Sequence, residues 1–296
     1  MRILSLLPAA TEIVYLLELG DDLVGVTHEC DWPIDARSKR RVSHSNIPVD
    51  ALPAEIDRLV SESMKGGPPT HGLDLDAIRD IKPDIVLTQD LCAVCAVPAG
   101  HLQAALDLLD IDAEVISLDP ASISDVLSDI SRVGATLGVK SRANGIVETL
   151  QRRLDRVREA VEGCKRPRVF ALEWGDPPYN AGHWVPEMIE LAGGESLLSS
   201  KGVPSVRLNW STIASENPEV IVFMPCGYGL DEAMTEAVDL IDRPEFANAR
   251  SFFATAANSF FSRPGPRLVD GVEALAAVLH EDRGLELRSD AIARLR

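Results

Sequence analysis

Short runs of β-branched and aliphatic residues alternate with amphipathic stretches along almost the whole chain. Apolar residues recur at helical spacing in stretches such as 100–110, 186–192 and 266–280. Strands that alternate with helices form parallel sheets with helices on both faces, so the predicted fold class is α/β. The predicted strands are residues 2–7, 23–27, 84–88, 114–118, 167–173, 219–224 and about 258–262.

One short pattern occurs twice. Residues 81–87 (Ile-Lys-Pro-Asp-Ile-Val-Leu) resemble residues 216–222 (Glu-Asn-Pro-Glu-Val-Ile-Val). In both, a proline and an acidic residue lead from the end of a helix into a β-branched strand. The pattern indicates an internal repeat, although any turn of this type could produce it.

The middle of the chain has a different pattern. Residues 122–162 contain no strand signal and carry apolar residues at helical spacing, with a break near Gly138. We therefore predict an N-terminal α/β lobe at residues 1–120 and a C-terminal α/β lobe at residues 166–296. A helical segment at 121–165, containing one long helix, would join them. No flexible linker separates the lobes, so we expect them to move little relative to each other.

The charge balance excludes some classes of partner. The chain has 29 Lys and Arg residues against 46 Asp and Glu residues, a formal net charge of −17. That charge repels phosphate backbones and anionic lipid headgroups, so we expect neither nucleic-acid binding nor attachment to a membrane surface. No uncharged apolar run approaches the ~20 residues that span a bilayer, so no membrane insertion is expected.

The first residues predict a strand and a helix rather than a leader peptide. Residues 3–19 are mostly apolar, but Pro8 and Glu12 interrupt the run. Thr11 is predicted to cap a helix that Gly20 ends. If Met1 is the native start, we expect a cytoplasmic protein; otherwise the chain would be exported, periplasmic or surface-anchored. The cysteines are few and odd in number, which does not indicate a disulfide framework.

The loop after the second predicted strand concentrates reactive side chains. It contains His28, Glu29, Cys30 and Asp31. Loops at the carboxyl ends of parallel strands line the ligand crevice, so these residues are candidates for ligand contact. The alternative is a loop whose side chains only cap neighbouring backbone.

Cys92 and Cys95 follow the predicted strand at 84–88 and allow three interpretations. They could form a thiol–disulfide pair. With His28 and Cys30 they could form a metal site, because thiolate and imidazole are ligands of Zn²⁺ and suit zinc or iron better than magnesium. They could also be packing or ligand-contact residues.

The loop after the strand at 167–173 is the richest in functional groups. Glu173, Trp174, Tyr179 and His183 combine acid, aromatic and imidazole side chains within it. Such a mixture suits a site that stacks on a small organic ligand and forms hydrogen bonds to it. The alternative is a proline-stiffened turn with its tryptophans in the core. Arg263, at the start of the last helix, suits an anionic or carbonyl-bearing ligand, or else a surface ion pair.

Common enzymatic signatures are absent from the sequence. There is no Gly-x-Ser-x-Gly elbow, no Walker Gly-x-x-x-x-Gly-Lys and no Gly-x-Gly-x-x-Gly after the first strand. We therefore expect a binding protein rather than an enzyme, with no certain cofactor. The alternatives are a metal-ion binding protein and a thiol-dependent enzyme that uses the cysteine pair or the Glu173–His183 region.

Several motifs together resemble one known family. The chain is similar to class III (helical-backbone) ABC-transporter substrate-binding proteins, above all to their cobalamin-binding branch, beside siderophore and metal binders. The similarity covers nearly the whole chain apart from an insertion around residues 46–72. The motifs that carry it are residues 4–12, 24–27, 31–33, 82–86, 177–179, 192–195, 217–219 and 266–267.

The resemblance implies a fold, a ligand and a set of contacts. The fold would be two Rossmann-like lobes with central parallel sheets, joined by a long backbone helix, with the ligand held in the cleft between the lobes. The ligand would be a cobalamin-like corrinoid or another metal chelate, bound reversibly. The residues expected to contact it are Glu29, Ser45, Glu173, Trp174, Tyr179, Ser205 and Arg263.

The sequence also departs from the family in places. Glu29 and Ser45 stand where corrinoid binders have aromatic residues, which favours a more polar pocket and leaves another metal chelate or a metal open as the ligand. Relatives that deliver to a transporter present one acidic residue on each lobe to the permease. Asp76 falls near the first of these positions, but Ser211 falls at the second, which weakens the expected permease contact.

Overall fold

The computed structural model describes residues 1–48, 50–89, 102 and 106–296. The chain divides into two compact units. The first contains Met1–Pro120 and Ser128–Asn144, and the second contains Ala121–Leu127 and Gly145–Arg296. Among the described residues, no helix combines the length and the apolar character needed to cross a bilayer.

The first unit is an α/β sandwich built on a parallel sheet. The strands of this sheet lie in the order β2-β1-β5-β6, and every neighbouring pair is parallel. A separate antiparallel ribbon pairs β3 with β4. The elements are β1 (Ile3–Ser5), α1 (Pro8–Leu16), β2 (Leu23–Gly25), β3 (Ser43–Ser45), α2 (Pro53–Met64), β4 (His71–Leu73), α3 (Leu75–Ile81), β5 (Ile85–Thr88) and β6 (Glu114–Ser117).

Two helices follow β6. Helix α4 (Ile123–Thr136) and helix α5 (Lys140–Val161) are separated at Gly138, whose φ of 77° lies in the left-handed region that glycine adopts without strain. The predicted helical segment and its break are therefore confirmed. Helix α5 is 22 residues long and runs from the first unit into the second.

The second unit is a larger α/β sandwich. Its sheet has the order β12-β11-β10-β7-β8, and β9 also pairs with β7. Strands β7, β9, β10 and β11 are parallel, whereas β8 and β12 are antiparallel to their neighbours. The elements are β7 (Arg168–Gly175), β8 (Pro178–Asn180), α6 (Val185–Leu191), β9 (Glu195–Ser196), α7 (Trp210–Ser215), β10 (Val220–Phe223), α8 (Leu230–Ile241), β11 (Ser251–Thr255), α9 (Ala257–Phe260), α10 (Leu268–Leu279) and β12 (Ile292–Arg294).

The buried strands explain why the sheets form. All four residues of β5 and of β10 are buried, as expected for parallel strands covered on both faces. Phe170, Phe223 and Phe252, on neighbouring strands, form the centre of an aromatic core in the second unit. The predicted parallel sheets are thus confirmed.

The repeated sequence pattern corresponds to a repeated structure. In the first unit, the backbone N–H of Arg2 donates to Asp84 Oδ2 at 2.8 Å, just before β1 and β5. In the second, the backbone N–H of Arg168 donates to Glu219 Oε2 at 3.0 Å, at the start of β7 and just before β10.

The arginine side chains of this repeat also have equivalent partners. Arg2 donates to the carbonyl of Ile81, and Arg168 donates to the carbonyl of Glu216. Each of these carbonyls lies at the end of the helix that leads into the repeated turn. Hence β1 and β7 have equivalent places in the two units, as do β5 and β10.

Two predictions near the ends of the chain were wrong. Residues 258–262 do not form a strand; the last parallel strand is Ser251–Thr255, and Ala257–Phe260 is helical. Residues 251–255 form the strand because they align in register with β10 and are buried along their whole length. Thr11 is not a helix cap. Helix α1 begins at Pro8, which suits a first helical turn, and Thr11 is buried inside the helix.

Most other helix predictions were confirmed. Residues 186–192 and 266–280 correspond to α6 and α10 within a few residues. The predicted helix at 100–110 lies partly outside the described residues, and of the described ones residues 106–108 are helical.

Gly182 allows a close approach between two loops of the second unit. A Cβ at this position would lie 2.6 Å from the carbonyl oxygen of Val203, in the segment that carries Ser205. We predict that Gly182→Ala lowers the free energy of unfolding by about 1–3 kcal/mol, since backbone must move to accept the methyl group. Urea unfolding of the purified variant measures the effect.

Gly145→Ala is the matched control. Gly145 lies inside helix α5, and a Cβ there would meet nothing within 4 Å. Alanine should therefore stabilise the helix by up to about 1 kcal/mol. Equal effects of the two substitutions would contradict the close approach at Gly182.

Candidate functional site

The carboxyl edge of the second sheet contains a topological switch point. From β7 the chain continues to β9 on one side of β7, and then to β10 on its other side. In open α/β sheets, ligands bind in the crevice where the strand order reverses in this way. Trp174, near the end of β7, meets Tyr228 from the loop after β10, with the ring centres 5.6 Å apart in an edge-to-face arrangement.

Tyr228 forms a hydrogen bond to a half-buried acid, Glu236. Its hydroxyl donates a hydrogen bond to Glu236 of helix α8, and burial together with the charge of Glu236 raises the pKa of Tyr228 to about 12. Burial also raises the pKa of Glu236, and the nearby charges of Asp176 and Asp239 raise it further. Tyr228 therefore stays protonated at neutral pH and is held by helix α8.

A second contact involves Glu173, which precedes Trp174 in β7. The hydroxyl of Ser205 donates to Glu173 Oε2. The loop that carries Ser205 is held by buried Asn180, whose Nδ2 donates to the carbonyl of Leu198 and whose Oδ1 accepts the backbone N–H of Val206, both at 2.6 Å. The structure thus brings together Glu173 and Ser205, which are far apart in sequence.

The remaining expected residues of the second unit lie in neighbouring loops and strands. Tyr179 of β8 is directly opposite Trp174 in the antiparallel pair. Arg263 is partly exposed in the loop between α9 and α10. Helix α9, which precedes this loop, is linked to the switch point, because the backbone N–H of its Asn258 donates to the carbonyl of Tyr228 at 3.0 Å.

The contacts of His183 are those of a packing residue. Its ring stacks on Trp184 at 5.5 Å, and burial lowers its pKa. Trp184 is itself buried and donates from Nε1 to the carbonyl of Phe261 at 2.7 Å. These contacts favour packing and hydrogen bonding to backbone for this part of the loop.

The first unit gathers hydroxyls and a thiol at the carboxyl ends of β1 and β2. Thr11 Oγ1 lies 2.8 Å from Ser5 Oγ and 3.1 Å from Cys30 Sγ. Thr27 Oγ1 lies 3.2 Å from the same sulfur. All four side chains are buried, so they form a fixed polar cluster beneath the loop that carries His28 and Glu29.

His28 lies on top of this cluster and beside the β3–β4 ribbon. Its backbone N–H donates to Ser43 Oγ at 3.1 Å, and its ring Nδ1 lies 2.6 Å from the same oxygen. Its ring centre is 5.1 Å from that of His71, which faces Ser45 across the ribbon. Burial lowers the pKa of His28 and outweighs the opposing effect of Glu29, so the neutral imidazole is favoured.

Of the four residues of the predicted metal site, the structure describes only His28 and Cys30. Cys30 contacts threonine hydroxyls whereas His28 contacts Ser43, and Cys92 and Cys95 lie outside the described residues. Among the residues that the structure does describe, no group of three or more His, Cys, Asp or Glu side chains is arranged to hold a metal ion.

The sequence reasoning missed Tyr228, Glu236, Ser43 and His71. Tyr228 could have been found, because residues 225–229 follow the strand predicted at 219–224 and therefore lie at the same edge as Trp174. His71 and Ser43 depend on the pairing of two three-residue strands, for which the sequence has no strong local signal.

Comparison with known proteins identifies similar chains. The profile of a family described as periplasmic binding proteins matches residues 3–255. The vitamin B12-binding protein of Yersinia pestis (strain Pestoides F) is 24% identical over 225 residues, which is 75% of this chain and 68% of the relative.

Solved structures of the same fold cover nearly the whole chain. A substrate-binding protein of an ABC transporter from Listeria monocytogenes EGD-e has a TM-score of 0.71 at 21% identity, covering 95% of this chain and 98% of that one. A periplasmic heme-binding protein from Pseudomonas aeruginosa has a TM-score of 0.73 at 18% identity, covering 99% and 97%. A periplasmic vitamin B12-binding protein from Vibrio cholerae has a TM-score of 0.65 at 21% identity, covering 96% and 98%. These relatives are solute-binding proteins, not enzymes, and they confirm the resemblance seen in the sequence.

The raised pKa of Glu236 predicts a pH dependence of stability. The folded state holds the proton of Glu236 more tightly than the unfolded chain does. The free energy of unfolding should therefore fall as the pH rises above 4.5, the ordinary pKa of glutamate, and passes through the higher pKa of Glu236 in the folded protein. Glu236→Gln should remove this part of the decrease. Urea unfolding at a series of pH values measures it.

Asp231→Asn is the control for this measurement. Asp231 is exposed in the first turn of the same helix, and the substitution removes the same charge. This variant should keep the wild-type pH dependence. If Glu236→Gln also keeps the wild-type pH dependence, the pKa of the Glu236 carboxyl is not raised in the folded protein.

Proposed function

Because this chain belongs to the periplasmic binding protein family, we propose that it reversibly binds a cobalamin-like corrinoid or another metal chelate, such as heme. The observation that carries the proposal is the Trp174–Tyr228 pair at the switch point of the second sheet. Aromatic rings at such a point offer apolar surface to a large flat ligand. Relatives whose names specify a ligand of this kind bind vitamin B12 or heme.

The polar side chains of the second unit can form hydrogen bonds and ion pairs with the groups at the periphery of such a ligand. Corrinoids carry amide groups at their periphery, and heme carries propionates. Glu173, oriented by Ser205, can accept a hydrogen bond from an amide, and the guanidinium of Arg263 can bind a carboxylate or a carbonyl. Tyr179 adds apolar contact beside Trp174.

The first unit offers Glu29 and Ser45 as polar contacts. The Glu29 side chain is 45% exposed next to His28, and Ser45 is exposed on the β3–β4 ribbon. Both stand where corrinoid binders have aromatic residues. We therefore expect a ligand with more polar substituents than cobalamin has.

Docking to an ABC-transporter permease accompanies this function in the family and stays a prediction for this chain. Asp76, in helix α3, has a side chain that is 85% exposed and pairs with Arg79. Ser211 is exposed in helix α7 and supplies no charge. Only one of the two expected acidic contacts is therefore present at these positions.

Calorimetric titration tests the proposed function. The reduced, metal-stripped protein is titrated separately with cyanocobalamin, cobinamide and hemin. We expect saturable one-to-one binding of at least one of them at micromolar Kd or tighter, about −8 kcal/mol or better. The absence of saturable binding for all three would refute the proposal.

Trp174→Leu tests the role of the aromatic pair. Binding of the same ligand should weaken by roughly tenfold or more, since a buried aromatic anchor contributes at least about 1–2 kcal/mol. Trp210→Leu is the matched control, because the ring of Trp210 is covered by the guanidinium of Arg243 at 3.7 Å. An equal loss of affinity in both variants would contradict a direct contact by Trp174.

A further inference from the structure

The second sheet has a further stretch of backbone beyond β8, the last strand in its order. Residues 203–208, here called the outer segment, follow β8, and Arg207 is directly opposite Tyr179 in an antiparallel bridge. At the start of the segment, the backbone N–H of His183 donates to the carbonyl of Val203 at 2.7 Å. The outer segment is therefore held along the edge of the sheet by backbone hydrogen bonds.

The hydrogen bonds on either side of Arg207 show which way its backbone faces. The backbone N–H of Asn180 donates to the carbonyl of Val206 at 3.2 Å. The backbone N–H of Leu208 donates to the carbonyl of Pro178 at 2.8 Å. Arg207 lies between these two bonds, so its own N–H and C=O point away from β8. Within the part of the chain that the structure describes, neither group has a hydrogen-bond partner.

The side chains of the outer segment are accessible too. Val206 is 47% exposed, and Arg207 next to it is exposed. Successive side chains of a strand point to opposite faces, so the arginine lies on one face of the edge and the valine on the other. Unpaired backbone groups at an exposed edge can pair with an extended segment of another protein, which adds a strand to the sheet.

The charge of this edge is opposite in sign to that of the whole chain. Residues 196–215 contain Lys201 and Arg207 but no Asp or Glu, whereas the chain has 46 acidic residues against 29 basic ones. Lys201 forms an ion pair with Glu187 at 2.5 Å, so the positive charge of the edge belongs to Arg207.

This charge distinguishes between two kinds of occupant. If two copies of the chain paired edge to edge about a twofold axis, their Arg207 side chains would lie opposite or diagonal to each other. Like charges at such positions repel, so a second copy fits poorly. An acidic side chain of a different protein would instead form a cross-strand ion pair with the guanidinium.

We propose that the outer segment is a docking edge for a partner protein, which adds an extended strand beside it and places an acidic side chain opposite Arg207. The N–H and C=O of Arg207 bond to the backbone of the added strand, and Val206 contacts an apolar side chain on the other face. This interaction goes beyond ligand binding and does not depend on it. It also differs from docking through acidic residues, because the charge presented at this edge is positive.

Three synthetic peptides test the docking edge. The first, acetyl-Ser-Val-Thr-Val-Glu-Val-Thr-amide, alternates apolar and polar residues. It carries a single acid, because a second one would meet Glu173, which accepts the hydroxyl of Ser205 on the same face as Arg207. The second peptide has lysine in place of the glutamate. The third has a methyl group on the glutamate nitrogen, which removes the N–H that bonds to the carbonyl of Arg207.

NMR titration of the isotope-labelled full chain measures the binding. We expect the glutamate peptide to bind saturably with a Kd of about 1 mM or tighter. At about ten times this Kd, hydrogen exchange of the Arg207 N–H should slow by roughly tenfold, because only the unbound fraction exchanges freely. The lysine peptide should bind at least about 3-fold more weakly, since it places like charges opposite each other. The N-methylated peptide should not slow the exchange.

A charge exchange provides the matched variants. Arg207→Glu should reverse the preference, so that the lysine peptide binds more tightly than the glutamate peptide; this reversal also shows that the variant is folded. Arg156→Glu makes the same substitution at an exposed arginine of helix α5 and should keep the wild-type preference.

The contrary outcomes are distinct. If the glutamate peptide does not bind, or if the N-methylated peptide binds equally well, the docking edge is overturned. A dimer in sedimentation velocity that Arg207→Glu abolishes or strengthens would assign the edge to a second copy and would also overturn the proposal. None of these results bears on the proposed function, since the experiment uses no chelate.

Discussion

The parallel pairing of β7, β10 and β11 determines where the polar residues of the second unit can lie. These strands are in register over Val169–Leu172, Val220–Phe223 and Ser251–Ala254, so their carboxyl ends meet at one edge of the sheet. Loops that are distant in sequence therefore start side by side. The contact between Trp174 and Tyr228 and the backbone bond from Asn258 to Tyr228 follow from this alignment.

The same constraint acts in the first unit. Strands β1 and β5 pair in parallel, with β2 on the other side of β1, which brings Ser5, Thr11, Thr27 and Cys30 into one buried cluster. The loop above this cluster is further fixed by Ser43 of the β3–β4 ribbon. Functional groups held by packed neighbours in this way keep their orientation before a ligand arrives, which lowers the entropy cost of binding.

Much of the fold could be predicted from the sequence because its strands are short, apolar and bounded by clear turns. Six of the predicted strands have counterparts in the structure, including 84–88 and 219–224, which also mark the repeat. The strand at 251–255 was missed because its assignment depends on pairing with β10. The β3–β4 ribbon was missed because its two strands have three residues each and pair across an intervening helix.

The candidate site was less predictable than the fold. Glu173, Trp174 and Tyr179 could be identified because they follow a predicted strand directly. Tyr228 also follows a predicted strand, but its contacts with Trp174 and Glu236 depend on the placement of β10 beside β7. The same reasoning applies to Ser43, whose position beside His28 is set by the ribbon.

Native mass spectrometry tests most directly whether this protein is a receptor for an intact metal chelate. The reduced, metal-stripped protein is incubated with an equimolar mixture of hemin, cobinamide, zinc chloride and ferric chloride, and is then freed of unbound material. The account predicts one retained chelate per chain, released chemically unchanged on denaturation. Retention of bare zinc or iron alone, or release of an altered chelate, would contradict it.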